Sequence, residues 1–170
     1  MSLELSKPLQ DTVDALTENF SDKVIEVYQS SGDTFVRIEA DALVKICAFL
    51  KEKQNFVYLT DIAGTDRYTS DERFEVIYNI ISLKDQVRIF IKVRCDEESP
   101  ELDSVSSVWK GANWIEREVY DMFGVRFNNH PDLRRIFLPE DFDYFPLRKE
   151  FPLLGIQGSI ELPNTTPDTE

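Results

Sequence analysis

The chain predicts an α+β fold: a two-layer sandwich of order α-β-β-α-β-β-β, with a following helix and an extended C-terminal strap. Two observations carry the prediction. Apolar residues recur three and four positions apart in three separate places, the spacing of one helical face. Between and after the first two lie five runs rich in β-branched and aromatic residues. Strands grouped in blocks with short connections give a largely antiparallel sheet with helices on one face.

Ser6 stands before Pro8, and Leu9, Val13, Leu16 and Phe20 follow at helical spacing, so a capped amphipathic helix of about three turns opens the fold. Asp11, Asp14 and Glu18 mark its exposed side. VIEVYQ (24–29) and TFVRIE (34–39) alternate apolar and polar residues around SSGD, the pattern of a hairpin with a glycine-containing turn. Asp41 is placed to cap a second helix, with Leu43, Ile46, Cys47 and Leu50 on one side. Three strands follow, FVYLTDIAG (56–64), FEVIYNIISL (74–83) and VRIFIKVRC (87–95), the last two an antiparallel pair about KDQ. DEESPELD (96–103) reads as an acidic connector.

Beyond it, Trp109, Ala112, Ile115, Val119 and Met122 space a third helix that Gly124 stops. Residues 125–155 carry four prolines and little periodicity, yet six phenylalanines and tyrosines. Ordering an extended chain costs about 1–2 kcal/mol per residue, so a strap this aromatic has to pack on its own domain or on a partner. The expected organisation is an α+β domain over 1–103, a helix with an extended docking segment over 104–155, and a disordered tail over 156–170. A chain cut after Asp103 is expected to stay folded but to lose its docking.

The 170 residues are 42% hydrophobic and 12% aromatic, enough for one compact domain with tails. Acids outnumber bases 32 to 19, which disfavours nucleic acid and anionic membrane surfaces and favours protein partners. The surplus is uneven: residues 1–103 hold 21 acids and 12 bases, whereas 104–155 hold 8 and 7. A balanced, aromatic-rich segment inside an acidic chain suits an interface or a charge-paired core. Cys47 and Cys95 lie far apart in apolar surroundings without a C-x-x-C, so they read as buried free thiols in a reducing compartment. Two cysteines also argue against an iron-sulfur cluster or a cysteine-rich zinc site. No apolar run approaches the roughly 18–20 residues of a membrane span, and the N-terminus lacks a leader pattern; the expectation is a soluble, cytoplasmic protein.

EREVYDMFG (116–124) raises the question of chemistry, because three carboxylates fall within six positions. On a helix Glu118 and Asp121 share a face while Glu116 and Glu118 diverge by about 200°. A metal-dependent hydrolase built on Glu118, Asp121 and His130 lacks the H-E-x-x-H or E-x-x-H spacing such helices use, and His130 is the sole histidine. Charge pairing explains more of the residues. Arg117 and Asp121 are four apart and can pair, and Glu116 or Glu118 can accept from Arg134, Arg135 or Arg148. His130 before Pro131 reads as a structural imidazole at a turn.

WIEREVYDMFGVRF (114–127), HPDLRRIFLPED (130–141) and YFPLRKEFP (144–152) together closely resemble the signature of one family: the C subunit of proton-pumping NADH-quinone oxidoreductase, respiratory complex I, known in mitochondria as the thirty-kilodalton subunit. About forty positions in fixed order make this resemblance specific, and it extends over residues 1–155; Phe137, where the family more often has a smaller aliphatic residue, is a local departure. The resemblance implies a non-catalytic subunit of the peripheral arm, on the cytoplasmic side of the cell membrane. It would carry no cofactor, with FMN, iron-sulfur clusters, NADH and quinone bound in other subunits, and it would contact subunits D, B and I. Carried onto this chain, the signature gives Glu116, Arg117, Glu118, Asp121, His130, Asp132, Arg134, Arg135 and Arg148 as interface or structural residues. The nearest competitor is the related subunit of a membrane-bound hydrogenase or of a ferredoxin- or F420-driven complex.

Overall fold

A computed structural model describes residues 5–156. The first helix, α1 (Lys7–Asn19), has Pro8 in its opening turn and turns Val13 and Leu16 inward. Ser6 occupies its N-cap without a side-chain hydrogen bond. β1 (Val24–Ser30) and β2 (Asp33–Ile38) form the expected hairpin; Ser31 and Gly32 both take positive φ, 52° and 86°, as the right-twisted two-residue turn requires.

Asp41 does not cap the second helix. It lies in a 3-10 turn, Ala40–Ala42, and accepts from Lys23 Nζ at 2.6 Å, while α2 (Leu43–Lys53) starts behind Ala42. Leu43, Ile46, Cys47 and Leu50 are buried as their spacing predicts. β3 (Tyr58–Asp66), β4 (Phe74–Ser82) and β5 (Val87–Cys95) complete a five-stranded sheet of order β1-β2-β5-β4-β3. All its neighbours are antiparallel except β2 and β5, where Phe35 faces Phe90 in a parallel ladder.

The sheet's two faces differ in chemistry. Val76, Tyr78 and Ile80 of β4 alternate with half-buried Ile77 and Asn79, and Ile89, Ile91 and Val93 of β5 share the inward face. That face meets Leu16 of α1 and the apolar side of α2 in one core, while the free thiols Cys47 and Cys95 are buried. On the other face Tyr28 stacks on Phe35 and Phe35 on Phe90, with ring centroids 5.1 and 4.8 Å apart.

The third helix, α3 (Ala112–Phe123), starts later than the periodicity suggests. Trp109 precedes it, buried, with its indole N–H donating to the Val57 carbonyl at 3.1 Å. Two short strands that the sequence does not announce bracket the helix, β6 (Glu101–Asp103) and β7 (Arg126–Asn128), paired in parallel so that Leu102 and Phe127 face inward together. Helix α3 presses on β3 at Gly64, where an added Cβ would stand 2.6 Å from the Phe123 ring. The core therefore continues past residue 103 to Val105, Trp109, Ala112, Val119, Phe123, Val125 and Phe127. No described helix is long and apolar enough to cross a membrane. The expected tail lies, from residue 157 onward, outside the described residues.

Candidate functional site

The three carboxylates of α3 go to three different environments. Asp121 is fully enclosed: Oδ1 accepts from Arg135 Nη1 at 2.7 Å, and Oδ2 receives the successive N–H groups of Ile136, Phe137 and Leu138 at 3.1, 2.7 and 3.1 Å. Burial pushes its pKa up, but the Phe137 N–H, the Arg135 guanidinium and the other two amides outweigh that and hold it below the usual carboxylate range. One oxygen thus pins the chain at 136–138 to the helix.

Arg117 does not pair with Asp121, although the spacing allows it. Arg135 occupies that carboxylate, and the fork of Arg117 reaches instead the carbonyls of Arg134 at 3.0 Å and Arg135 at 3.1 Å, with its guanidinium 5.0 Å from the Trp114 ring centre. The helix therefore offers donors to the carbonyls and acceptors to the amides of one segment. Arg135 extends the network by donating to the carbonyls of Phe142 and of Tyr144, the latter at 3.1 Å, and lies against the rings of Phe142 and Phe145.

Glu116 accepts from neither Arg134, Arg135 nor Arg148. It is fully buried, with Oε2 taking the Ser104 hydroxyl at 2.6 Å and Oε1 the Val105 N–H at 2.7 Å. Burial raises its pKa to about 7, which those two hydrogen bonds only partly oppose. His130 lies beside it, Nε2 at 3.7 Å from Oε2 and 3.0 Å from the Asn113 carbonyl. The Asp132 N–H donates to Nδ1 at 3.0 Å, which leaves Nε2 as the ring's donor toward Asn113. Glu118 is exposed, as are Asp132 and Arg134, which pair with each other at 3.0 Å. Glu118, Asp121 and His130 therefore do not converge, and among the described residues no three His, Cys, Asp or Glu side chains gather as a metal site.

The strap is tied to the end of α3. Leu147 N–H donates to the Met122 carbonyl at 3.1 Å and Arg148 Nε to the Phe123 carbonyl at 2.7 Å. The Arg148 guanidinium is sandwiched between Phe74 and Phe145, 4.8 and 4.6 Å from their centres, and burial lowers its pKa. Gly124, at φ 76°, both stops the helix and makes room, because a Cβ there would stand 2.6 Å from the Arg148 Nη2.

A second ion cluster escapes the sequence reading. Asp66, at the end of β3, receives Arg73 Nε and Nη2 at 2.9 and 2.7 Å together with the N–H groups of Tyr68 and Lys149. The Arg73 hydrogen bonds come first among the causes that lower its pKa to about 2. Arg73 also meets Glu97 and Glu150, so the same knot binds the strap to the sheet. The available signal is the Arg73 side chain directly before the FEVIY strand, opposite a carboxylate ending the previous strand. Outside these knots, Phe137, Leu147, Leu153 and Leu154 stand exposed along the strap, with Trp114 on α3.

The molecule is an α+β sandwich whose third helix holds an extended C-terminal strap through Arg117 and Asp121. Residues 36–157 match the family described as "Respiratory-chain NADH dehydrogenase, 30 Kd subunit", and the chain belongs to that family. It is 42% identical over 140 residues to the C subunit of NADH-quinone oxidoreductase from Geotalea uraniireducens, covering 82% of this chain and 85% of that one. It is 41% identical over 161 residues to the corresponding C 2 subunit from Rhizobium etli, covering 90% and 86%. Among solved structures it resembles a trypsin-resistant fragment (1-134) of Nqo5, with TM-score 0.65 and 32% identity over 74% of this chain and 99% of that one. A chain of the membrane-bound sulfane sulfur reductase, an archaeal respiratory membrane complex, shares the fold with TM-score 0.74 at 22% identity, over 87% and 88%.

Proposed function

We propose that the chain is a peripheral-arm subunit of proton-translocating NADH-quinone oxidoreductase, respiratory complex I. It supports electron transfer from NADH through iron-sulfur clusters to quinone by holding neighbouring subunits in place, and it performs no chemical step and carries no cofactor itself. Its place is the cytoplasmic side of the cell membrane, reached through contacts with subunits D, B and I. Glu116, Arg117, Asp121, His130, Arg135 and Arg148 act from within, shaping the strap. Glu118, Asp132 and Arg134 remain on the surface for partners.

The observation that carries this reading is the combination of inward-facing charges with outward-facing apolar groups on one segment. Asp121 and Arg135 are consumed by the strap's own backbone, whereas Phe137, Leu153 and Leu154 meet nothing among the described residues that covers them. A pocket enzyme would arrange them the other way round. The names of its relatives supply the complex.

Affinity purification of the tagged full chain from its native source tests the reading. Co-elution of subunits D, B and I with NADH-quinone reductase activity is the expected result, lost when Phe137, Leu153 and Leu154 are together changed to serine. Recovery of the chain alone, or with hydrogenase subunits, would sink it. The second reading, a related subunit of another membrane-bound respiratory complex, rests on the fold it shares with the sulfane sulfur reductase chain.

A further inference from the structure

The geometry points to Glu116 as a proton-exchanging group inside the fold, connected to the surface through two serine hydroxyls, whose ionisation governs how the His130 ring is held. Its carboxylate has no cation bonded to it, only the Ser104 hydroxyl and the Val105 N–H. Asp121 and Asp66, two deeply buried aspartates of the fold, each hold an arginine. A carboxylate kept solely as an ionised acceptor would need the same partner, because an uncompensated buried charge is costly.

Ser104 Oγ lies 2.6 Å from Glu116 Oε2 and 2.7 Å from Ser106 Oγ, and it accepts the Ser106 N–H at 3.1 Å. Its single proton cannot serve both oxygens at once. With Glu116 ionised, Ser104 donates to the carboxylate and accepts from the Ser106 hydroxyl. With Glu116 protonated, the carboxyl donates to Ser104, which donates to Ser106. The second state holds one proton more: a proton taken up from solvent at the Ser106 oxygen, with the Ser106 proton passing to Ser104 and the Ser104 proton to Glu116 Oε2, converts the first chain into the second, and the reverse shift releases it. Ser106 is half-buried, so the proton enters and leaves at its side.

The groups facing Glu116 agree with this. Cys47 of α2 and Tyr78 of β4 are buried and neutral, and its charge pushes the pKa of both further up after burial has raised them. The Tyr78 hydroxyl is enclosed without a hydrogen-bond partner. His130 is the one other titratable side chain in direct reach among the described residues, its Nε2 between Glu116 Oε2 at 3.7 Å and the Asn113 carbonyl at 3.0 Å. An ionised Glu116 draws the Nε2–H toward itself; a neutral one leaves it to Asn113. The sole histidine of the chain therefore reports the charge on Glu116.

Infrared titration of the full chain, paired with nuclear magnetic resonance of the His130 ring, decides the matter. A buried carboxylic-acid band is expected to vanish as pH rises through about 7, with a step in the His130 signals at the same midpoint. Glu116→Gln abolishes both. Ser104→Ala raises the midpoint, because the carboxylate loses a donor that favours its charge. Should Glu116→Gln fail to fold, the wild-type titration and Ser104→Ala suffice. Absence of the band above the ordinary carboxylate range, its survival in a folded Glu116→Gln, or a His130 ring indifferent to it would each overturn the assignment.

Discussion

Arg73 grips Asp66 with two parallel hydrogen bonds, Nε to Oδ1 at 2.9 Å and Nη2 to Oδ2 at 2.7 Å, and both side chains are almost entirely enclosed. The pair sits where β3 hands over to the next loop, and the Lys149 N–H of the strap joins it at 2.8 Å. Removing Arg73 leaves the buried Asp66 charge with two backbone N–H groups and no cation, whereas removing Asp66 still leaves Arg73 to Glu97 and Glu150. Arg73→Met is therefore expected to cost about 3–5 kcal/mol in urea unfolding, and Arg73→Met with Asp66→Asn less than the sum of the two single changes.

Acid unfolding carries the signature of the same pair. The folded pKa of Asp66 is lowered to about 2, so its contribution is fully present above the ordinary value of 3.8 and is lost as pH falls through about 2. The linkage is worth about 2 kcal/mol, and Asp66→Asn should flatten the stability-pH curve in that window.

Asp121→Ala removes the acceptor shared by three consecutive amides and by Arg135. Hydrogen exchange at Ile136, Phe137 and Leu138 should accelerate by at least tenfold, corresponding to about 1.4 kcal/mol, while the amides of β4 and β5 keep their protection. Equal acceleration everywhere would mean that Asp121 supports the whole fold and not the strap.

Gly64→Ala probes the seat of α3 on the sheet. A methyl group 2.6 Å from Phe123 Cδ2 and 3.1 Å from Val119 Cγ1 forces helix and strand apart, an overpacking penalty of about 1–3 kcal/mol measurable as a lower urea midpoint.

A chain cut after Asp103 tests where the folding unit ends. It loses Trp109, Val119, Phe123 and Phe127 from the common core and strips β6 of its partner β7. The expected outcome is a broad, weakly cooperative thermal transition in place of the sharp one of the full chain, seen by circular dichroism. A sharp transition would instead place an independent domain over 1–103.

Periodicity made the long elements legible. Leu43, Ile46, Cys47 and Leu50 announce α2, and Val76, Tyr78 and Ile80 announce β4, because each burial repeats often enough to stand above chance. The strands β6 and β7 have three residues each, and one inward side chain apiece has no period to detect. The helix block 114–124 was readable as charge-paired, but not the partners. Spacing on a helix sees Arg117 next to Asp121, whereas the choice of Arg135 for Asp121 and of two carbonyls for Arg117 depends on a loop folding back from residues 134–138. Asp66 and Arg73 flank a loop between two strands, so no helical or strand period joined them.

The parallel seam between β2 and β5 bears on how the polypeptide is made. Phe35 waits for Phe90, and Val36 for Ile91, so on the ribosome the first hairpin emerges with one edge open and stays that way until the last strand of the sheet has left the exit tunnel. During that interval its aromatic face and unpaired amides stay uncovered, and slow translation between the two strands would prolong that exposure.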